Sequence, residues 1–361
     1  MNTEVISDKQ GIVIIIMFLV GTAALDVRGI EAEQDFWISM ILALILIMPI
    51  AIMYSRLCYI LPNKDLFDIL EICFGKFIGK IMVIFYTYYF LESGTMVLMN
   101  VSYFISLSSL DKTPLIVIKI IIMILCAWAV KLGIQLIGRW AEYMSLGFIA
   151  FIAISILLSI PNMDLNNLRP IFNNGINPII KGTFATFVFP FGEIVTIYAA
   201  FSNFKSKKSP YKIYRLGFLG GIILLGISIT NVLVLGINMA SIYGYPTYST
   251  MARIGISASI ERIELIISIV YVLGAFIKVS VYLLAISKGI AKTFNFEDYK
   301  FLVIPTALFM LTLSLFLFVG VIDYWEYSDK IWESYAILFQ VVFPIMIFIV
   351  AEVRKKRLKI P

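Results

Sequence analysis

The sequence predicts an all-α integral membrane protein with ten transmembrane helices, built as a five-plus-five inverted repeat whose first and sixth helices are interrupted. Three observations predict this fold. Hydrophobic residues make up 61% of the 361 residues and charged residues only 14%, with a mean hydropathy of +0.96 that no soluble domain of this length shows. Long apolar runs recur along the chain. Two of these runs contain small or helix-breaking residues in their middle.

The apolar runs define the spans, because a helix needs roughly 20 apolar residues to cross a bilayer core. The ten predicted spans are 10–28, 36–59, 78–108, 114–133, 138–160, 182–204, 213–238, 263–287, 300–321 and 333–352. The third is long enough to tilt strongly or to protrude. We expect a single transmembrane domain over residues 1–361.

The first span contains Val20-Gly21-Thr22-Ala23-Ala24-Leu25-Asp26, a run of small residues in its middle and outer part. Such a run predicts an interrupted helix, whose unpaired backbone N–H groups attract an anionic ligand group. The alternative is that Gly21 and Ala23 only allow close helix packing. The residues before this span do not resemble a cleavable signal, because Glu4 and Asp8 accompany a single Lys9.

The sixth span is interrupted at Phe189-Pro190-Phe191-Gly192-Glu193. Proline breaks a helix, and a break within lipid survives only where it lines a protein cavity. Burying Glu193 beside the break costs roughly 3 kcal/mol on insertion scales. These features predict the working site here, at the bilayer midplane. The alternative is a simple proline kink.

Three ionisable residues fall near the middle of spans: Glu92 in the third, Glu193 in the sixth and Lys278 in the eighth. Each alone is costly in lipid, so we expect Lys278 to pair with Glu193 or with Glu92. Lys278 would then meet a ligand carboxylate or replace a coupling cation, and Glu193 would meet a ligand ammonium or support the break. The alternative is an ion pair that only fixes helix packing.

Aromatic residues near the two charged spans are candidates for the wall of a small pocket. They are Tyr86, Tyr88, Tyr89, Phe187, Phe189 and Phe191, although most aromatics in such a chain are core or interface residues.

The connection 239–262 contains Tyr243-Gly244-Tyr245-Pro246 and then an apolar stretch. It fits either a short helix over the external entrance or an ordinary surface loop.

The charge distribution predicts the orientation. With the amino terminus inside, the cytoplasmic segments hold most of the 29 Lys and Arg residues, so both termini are predicted to be cytoplasmic. The basic carboxyl-terminal tail is predicted to contact anionic membrane lipid. Nucleic-acid binding is not expected, because the positive charge is spread over separate loops.

Several classes of activity are excluded. The three cysteines, Cys58, Cys73 and Cys126, imply no disulfide framework. The absence of histidine excludes His-based metal sites, Ser-His-Asp triads and Cys-His pairs. The Gly-rich phosphate-binding motif of ATP-driven pumps is also missing. We therefore expect no enzyme, no metal and no cofactor, and an energy source that is an ion gradient or a partner.

Several strings resemble the spore germination permease family, which includes the B-type subunits of endospore nutrient germinant receptors. They are Leu61-Pro62, Leu66-Phe67, Gly75-Lys76, Tyr89-Phe90-Leu91, Lys112-Thr113-Pro114, Asn166-Asn167-Leu168-Arg169-Pro170-Ile171, Asn177-Pro178-Ile179, the Phe189–Glu193 break and Ile260-Glu261-Arg262-Ile263-Glu264. The resemblance covers nearly the whole chain. It implies a relation to the amino acid, polyamine and organocation transporters and the inverted-repeat fold.

The resemblance also implies a function and a pocket. Such subunits bind small nutrient germinants, commonly amino acids, in the spore inner membrane, and act with an A-type subunit and a lipoprotein C-type subunit. The pocket positions that match here are Gly21, Thr22, Tyr89, Phe187, Phe191, Gly192, Glu193 and Lys278. Two departures matter: Val27-Arg28 stands where many relatives have Leu-Pro, and Lys278 stands where alanine-type receptors are expected to have an uncharged polar residue.

Three hypotheses follow. The leading one is a receptor subunit in which a small-molecule germinant shifts a conformational equilibrium and triggers germination. The second is a proton- or sodium-coupled amino acid transporter, with Glu193 or Glu92 as the titrating group. The third is a channel component that releases ions or small solutes.

Overall fold

The structure is a computed structural model that describes residues 4–201, 203–258 and 262–355. Ile260-Glu261 of the family resemblance and Lys356, Arg357 and Lys359 of the basic tail lie outside the described residues. The described chain is helical almost throughout, which agrees with the all-α prediction.

The helices follow the apolar runs. In chain order they are α1 (Asp8–Ala23), α2 (Phe36–Ile60), α3 (Leu66–Ser108), α4 (Leu115–Leu132), α5 (Ile134–Ser159), α6 (Ile176–Val188), α7 (Ile194–Ala200), α8 (Ser209–Gly217), α9 (Leu219–Leu235), α10 (Ile237–Ile242), α11 (Pro246–Ala258), α12 (Glu264–Phe294), α13 (Val303–Phe316), α14 (Val321–Tyr327), α15 (Glu333–Ile337) and α16 (Phe343–Lys355). The strands β1 (Val5–Ile6) and β2 (Asn203–Phe204) pair in parallel.

Seven helical stretches of the described chain are long and apolar enough to cross a membrane. They are Ile30–Ile60, Leu115–Leu132, Ile134–Asn162, Ile176–Ala200, Ser209–Leu235, Glu264–Phe294 and Val321–Arg354. The predicted first, third and ninth spans correspond to α1, α3 and α13 instead. Of these, α1 has 16 residues, α13 has 14, and α3 has 43 with a non-helical residue at Gly75. The multi-pass architecture is clear, and the total of ten spans stays a prediction.

The first helix is interrupted in the outer part of the predicted run Val20–Asp26. α1 continues to Ala23, and the 3₁₀ segment Ile30–Asp35 follows the irregular residues 24–29. Gly21 packs against Gly274 of α12 instead, since a Cβ on Gly21 would lie 2.6 Å from the Gly274 carbonyl carbon. Within the predicted run the interruption therefore follows Ala23, and Gly21 takes the alternative role of close helix packing, because a glycine at a helix contact saves space without interrupting its own helix.

The last helix begins earlier than the predicted residue 333. α14, α15 and α16 form one continuous helical run with the π-helical segments Ser328–Trp332 and Leu338–Val342. Asp323 and Glu326, which fall between the predicted spans 300–321 and 333–352, lie on its exposed first turns. The helix tolerates them because they project where the chain is exposed, while Tyr324 on the same stretch is buried.

Two segments distant in sequence form hydrogen bonds with the residues around the interruption of the first helix. Of the two alternatives for the connection 239–262, a short helix or an ordinary loop, the structure contains the helix, since α11 begins at Pro246. The Thr247 hydroxyl of α11 donates to the carbonyl of Ala24 at 2.6 Å. In the loop before α6, the backbone N–H of Phe172 donates to the Asp35 carboxylate at 2.9 and 3.1 Å. The surroundings of the interruption are thus built from segments distant in sequence.

The Gly21 contact yields the first prediction. Gly21→Ala forces a methyl group into the α1–α12 contact and should destabilise the protein by about 1–3 kcal/mol, as overpacking does. Gly147→Ala on α5 is the matched control, because a Cβ there meets no atom of the described residues within 4 Å. Thermal unfolding in detergent should show a lower midpoint for Gly21→Ala only. Equal midpoints for both variants would contradict a tight contact.

Candidate functional site

The break in the sixth helix separates α6 from α7. Phe189 at the end of α6 is extended, and the 3₁₀ segment Phe191–Glu193 follows Pro190. Pro190 cannot donate the backbone hydrogen bond that would continue α6. Glu193 consequently lies at the amino-terminal end of α7 rather than within a regular helix. Phe191, Gly192 and Glu193 are all buried, so the break lies inside the protein.

A buried ion pair joins the break to α12. Lys278 Nζ lies 2.5 Å from Glu193 Oε2, and the two side chains are 0% and 2% exposed. Lys278 Nζ also donates to Thr22 Oγ1 at 2.9 Å, and the Tyr282 hydroxyl donates to Glu193 Oε1 at 2.6 Å. Hydrogen bonds of this kind offset the desolvation of both charges. The network joins α1, the sixth helix and α12.

Aromatic faces add to the stabilisation of Lys278. Its Nζ lies 4.4 Å from the centre of the Phe189 ring and 5.1 Å from that of Phe18. A desolvated ammonium at such distances is attracted to the negative face of a ring. Phe189 also meets Arg28, whose guanidinium carbon lies 4.8 Å from the same ring centre. The Phe189 ring therefore contacts two cations.

Glu92 belongs to a separate cluster. It is buried and accepts hydrogen bonds from the hydroxyls of Tyr327 and Tyr335 on the last helix. The neighbouring Ser93 accepts a hydrogen bond from the indole of Trp332 at 3.1 Å. Of the two carboxylates considered for Lys278, the structure brings Glu193 to it and leaves Glu92 with tyrosines.

A cavity of about 340 Å³ lies beside the ion pair. Its lining comes from residues 26–31 after α1, from Ser93, Met96, Val97 and Asn100 of α3, from Ala185, Thr186 and Phe189 at the sixth helix, from residues 240–244, and from the last helix between Tyr324 and Glu333. Thr22 and Glu193 line it too. Both interruptions therefore border one cavity, on the side that the charge distribution predicts to be external.

The cavity is rich in carboxylates. Those in its lining are Asp26, Glu31, Glu193, Asp329 and Glu333, and the cation in its lining is Arg28. Arg28 pairs with Asp26 at 2.6 Å. Within the described chain, Glu31, Asp329 and Glu333 have no ion-pair partner. Carboxyl groups without an ion-pair partner favour a ligand with a cationic group.

The predicted pocket residues fall into two groups. Thr22 and Glu193 line the cavity, and Lys278 contacts both of them. The others lie in packed contacts: Gly21 against Gly274, Tyr89 stacked on Phe339, Phe187 and Phe191 in the apolar core, and Gly192 against Gln340. The Gln340 amide donates to the Tyr89 hydroxyl at 2.8 Å and to the Val188 carbonyl at 3.1 Å.

Sequence reasoning missed several lining residues, among them Asp26, Asn100, Thr186, Asp329 and Glu333. Asp329 falls in the connection between the predicted spans 300–321 and 333–352, and Glu333 is the first residue of the second, so the hydropathy pattern gives no signal that either lies at the site. Thr186 is the most informative omission, because its hydroxyl is buried and has no hydrogen-bond partner within the described residues. Among those residues, no group of three or more acidic or cysteine side chains is placed to hold a metal ion.

Comparison with known proteins gives the family. Residues 5–317 match the profile of the family described as spore germination protein. The chain belongs to this family. Spore germination protein KB of Bacillus subtilis (strain 168) is 28% identical over 98% of this chain and 96% of its own length. Spore germination protein XB of Bacillus anthracis is 26% identical over 71% of this chain and 72% of its own length.

Solved structures give the fold of this family member. It is similar to MHP1, a nucleobase-cation-symport-1 family transporter in a closed conformation with bromovinylhydantoin bound, at a TM-score of 0.66 and 14% identity over 99% of this chain and 91% of the other. It is also similar to MhsT in complex with L-phenylalanine, at a TM-score of 0.65 and 14% identity over 96% and 88%. The predicted helical transporter-like fold with interrupted helices is confirmed.

The buried pair yields the second prediction. Glu193→Gln and Lys278→Met each leave one unpaired charge in the interior and should each destabilise the spore germination protein by about 3–5 kcal/mol. The double variant should lose clearly less than the sum, because neither charge remains. Unfolding in denaturant measures the three variants as one cycle.

The control for this cycle is the exposed pair Glu326–Lys330. Its atoms lie 3.6 Å apart, with side chains 64% and 71% exposed, so its removal should change stability by less than about 1 kcal/mol. Strict additivity at Glu193 and Lys278 would show that the two charges do not compensate each other.

Proposed function

We propose that this protein is the membrane-embedded B-type subunit of a spore nutrient germinant receptor, and that it binds a small molecule in the cavity beside the Glu193–Lys278 pair. One observation carries the proposal: a buried ion pair at the break of the sixth helix lies at a cavity of about 340 Å³ that both helix interruptions border. Family membership supports the receptor role.

The chemistry of the cavity favours an amino acid or a similar compound. A ligand ammonium can meet the carboxylates of Glu31, Asp329 and Glu333, and the unpartnered Thr186 hydroxyl can bond a ligand carboxylate. Glu193 lines the cavity and pairs with Lys278. A zwitterionic ligand could therefore form ionic contacts with these two side chains in place of part of their contact with each other. Such an exchange would couple occupancy to the arrangement of α1, α12 and the sixth helix.

A sensor must convert binding into a change of state. Shifting a two-state equilibrium from 1:99 to 99:1 requires about 5.5 kcal/mol of differential binding. Replacing or reorienting a buried ion pair involves energies of that order. In this proposal the A-type and C-type subunits receive the signal, both termini face the cytoplasm, and the protein lies in the spore inner membrane as one transmembrane domain with lipid around it.

The alternative is secondary transport of an amino acid coupled to protons or sodium. The solved transporters of similar fold keep this alternative open. Under it, Glu193 would release or bind the coupling proton. The two functions differ in one measurable respect, because a sensor binds its ligand without accumulating it.

The third prediction tests the cavity by filling it. Ala185→Phe adds a ring to the cavity lining at a residue that makes no hydrogen bond or ion pair with Glu193 or Lys278 within the described chain. It should weaken binding of whichever amino acid the unmodified protein binds by at least about tenfold, or 1.4 kcal/mol. Ala150→Phe on the exposed side of α5 is the matched control. A panel of amino acids titrated calorimetrically onto purified protein in nanodiscs gives the affinities.

The outcomes separate the hypotheses. If Ala185→Phe weakens binding and Ala150→Phe leaves it unchanged, the ligand binds in the cavity. If Glu193→Ala and Lys278→Ala leave the affinity unchanged, the ion pair is not part of the binding site. Proteoliposomes carrying this chain alone should bind the ligand without uptake. Concentrative uptake driven by an ion gradient would show that the protein is a transporter and would contradict the receptor proposal.

A further inference from the structure

A second cavity, of about 400 Å³, lies on the side that the charge distribution predicts to be cytoplasmic. It is formed where α8 crosses the second half of α2. Its lining includes Lys208, the residue before α8, the basic residues Lys212 and Arg215 of α8, and the apolar residues Met48, Ala51 and Ile52 of α2. It shares no lining residue with the cavity beside Glu193.

The basic residues form one stripe. Their spacing of four and three positions places them on a single face of α8, and all three are exposed. Lys212 pairs with Asp8 at 3.2 Å. Lys208 and Arg215 have no carboxylate partner within the described chain. This cavity therefore carries two uncompensated positive charges.

The opposite wall is apolar and open to the membrane. Ile52 is 61% exposed and Met48 is 37% exposed, which in a membrane protein places them against lipid chains. Tyr214 also lines the cavity, and its buried hydroxyl has no hydrogen-bond partner among the described residues. Free cations, an unsatisfied hydroxyl and a lipid-facing apolar wall thus occur together.

We propose that this cavity binds an anionic phospholipid of the inner leaflet. The phosphate lies between Lys208 and Arg215, and one acyl chain follows Met48 and Ile52 along α2. Basic pockets between helices at the cytoplasmic surface recognise lipid headgroups in this way. A free phosphate would share the headgroup chemistry but would leave the apolar wall without a partner, so the continuous basic-to-apolar lining favours a lipid.

Helix contacts link this second cavity to the Glu193–Lys278 network. The Ser55 hydroxyl of the same lining donates to the Ala51 carbonyl of α2 at 2.8 Å and also lies 3.4 Å from the Pro210 carbonyl, so α2 contacts α8 here. α8 packs against α1, which carries Thr22 of the ion-pair network. A lipid here would stabilise the cytoplasmic end of α1 in its present position.

The fourth prediction uses native mass spectrometry on protein released from nanodiscs that contain equal amounts of phosphatidylglycerol and phosphatidylcholine. The unmodified protein should retain one phosphatidylglycerol in preference to phosphatidylcholine. Lys208→Ala with Arg215→Ala should reduce that retention by about tenfold or more, because both free cations are removed. The Lys212–Asp8 pair stays intact in this variant.

The matched control is Lys76→Ala with Arg139→Ala, which removes one lysine and one arginine from exposed positions outside the cavity. It should retain phosphatidylglycerol like the unmodified protein. If both double variants lose phosphatidylglycerol retention equally, the lipid is held by the general positive charge of the surface, and the proposed site is wrong. Equal retention in both would overturn it as well.

A second measurement separates a lipid from a free phosphate. Phosphatidylglycerol should raise the thermal midpoint of the unmodified protein above its value in phosphatidylcholine alone, and Lys208→Ala with Arg215→Ala should abolish that rise. Millimolar inorganic phosphate should neither displace the retained lipid nor raise the midpoint in phosphatidylcholine. Full stabilisation by phosphate alone would replace the lipid by an inorganic anion.

Discussion

The contact between Lys278 and Glu193 places two full charges in the middle of a membrane helix bundle. Each charge alone would cost several kcal/mol. At 2.5 Å they compensate each other, and Thr22 and Tyr282 supply further hydrogen bonds. Because these partners lie on three helices, α1, α12 and the sixth helix must meet at one point.

Small residues and a proline make that meeting possible. Gly21 and Gly274 let the backbones of α1 and α12 approach closely. Pro190 ends α6 and leaves Glu193 at the start of α7, where its carboxylate faces Lys278. Gly192 leaves room for Gln340 of the last helix. The irregular backbone that this requires borders a cavity, which is the setting in which a membrane protein tolerates it.

Much of this organisation was predictable because it depends on local features. Apolar runs mark helices, Pro190 marks the break, and buried charges in lipid require a partner, so Glu193 and Lys278 were evident candidates. Gly21 was harder to interpret, since a glycine looks the same in an interruption and in a helix contact. The acidic residues from Asp323 to Asp329 fall between two predicted spans, because hydropathy does not detect a helix that extends beyond the apolar run.

The sequence by itself determined the all-helical membrane character, the break at Pro190, the need for charge compensation and, through its motifs, the spore germination family. Only the tertiary structure decided that Lys278 pairs with Glu193, that Glu92 meets Tyr327 and Tyr335, and that the last helix lines the cavity. The physical reason is that hydropathy and helix breaking depend on neighbours in the chain. Charge pairing depends instead on distances between helices, which packing alone fixes.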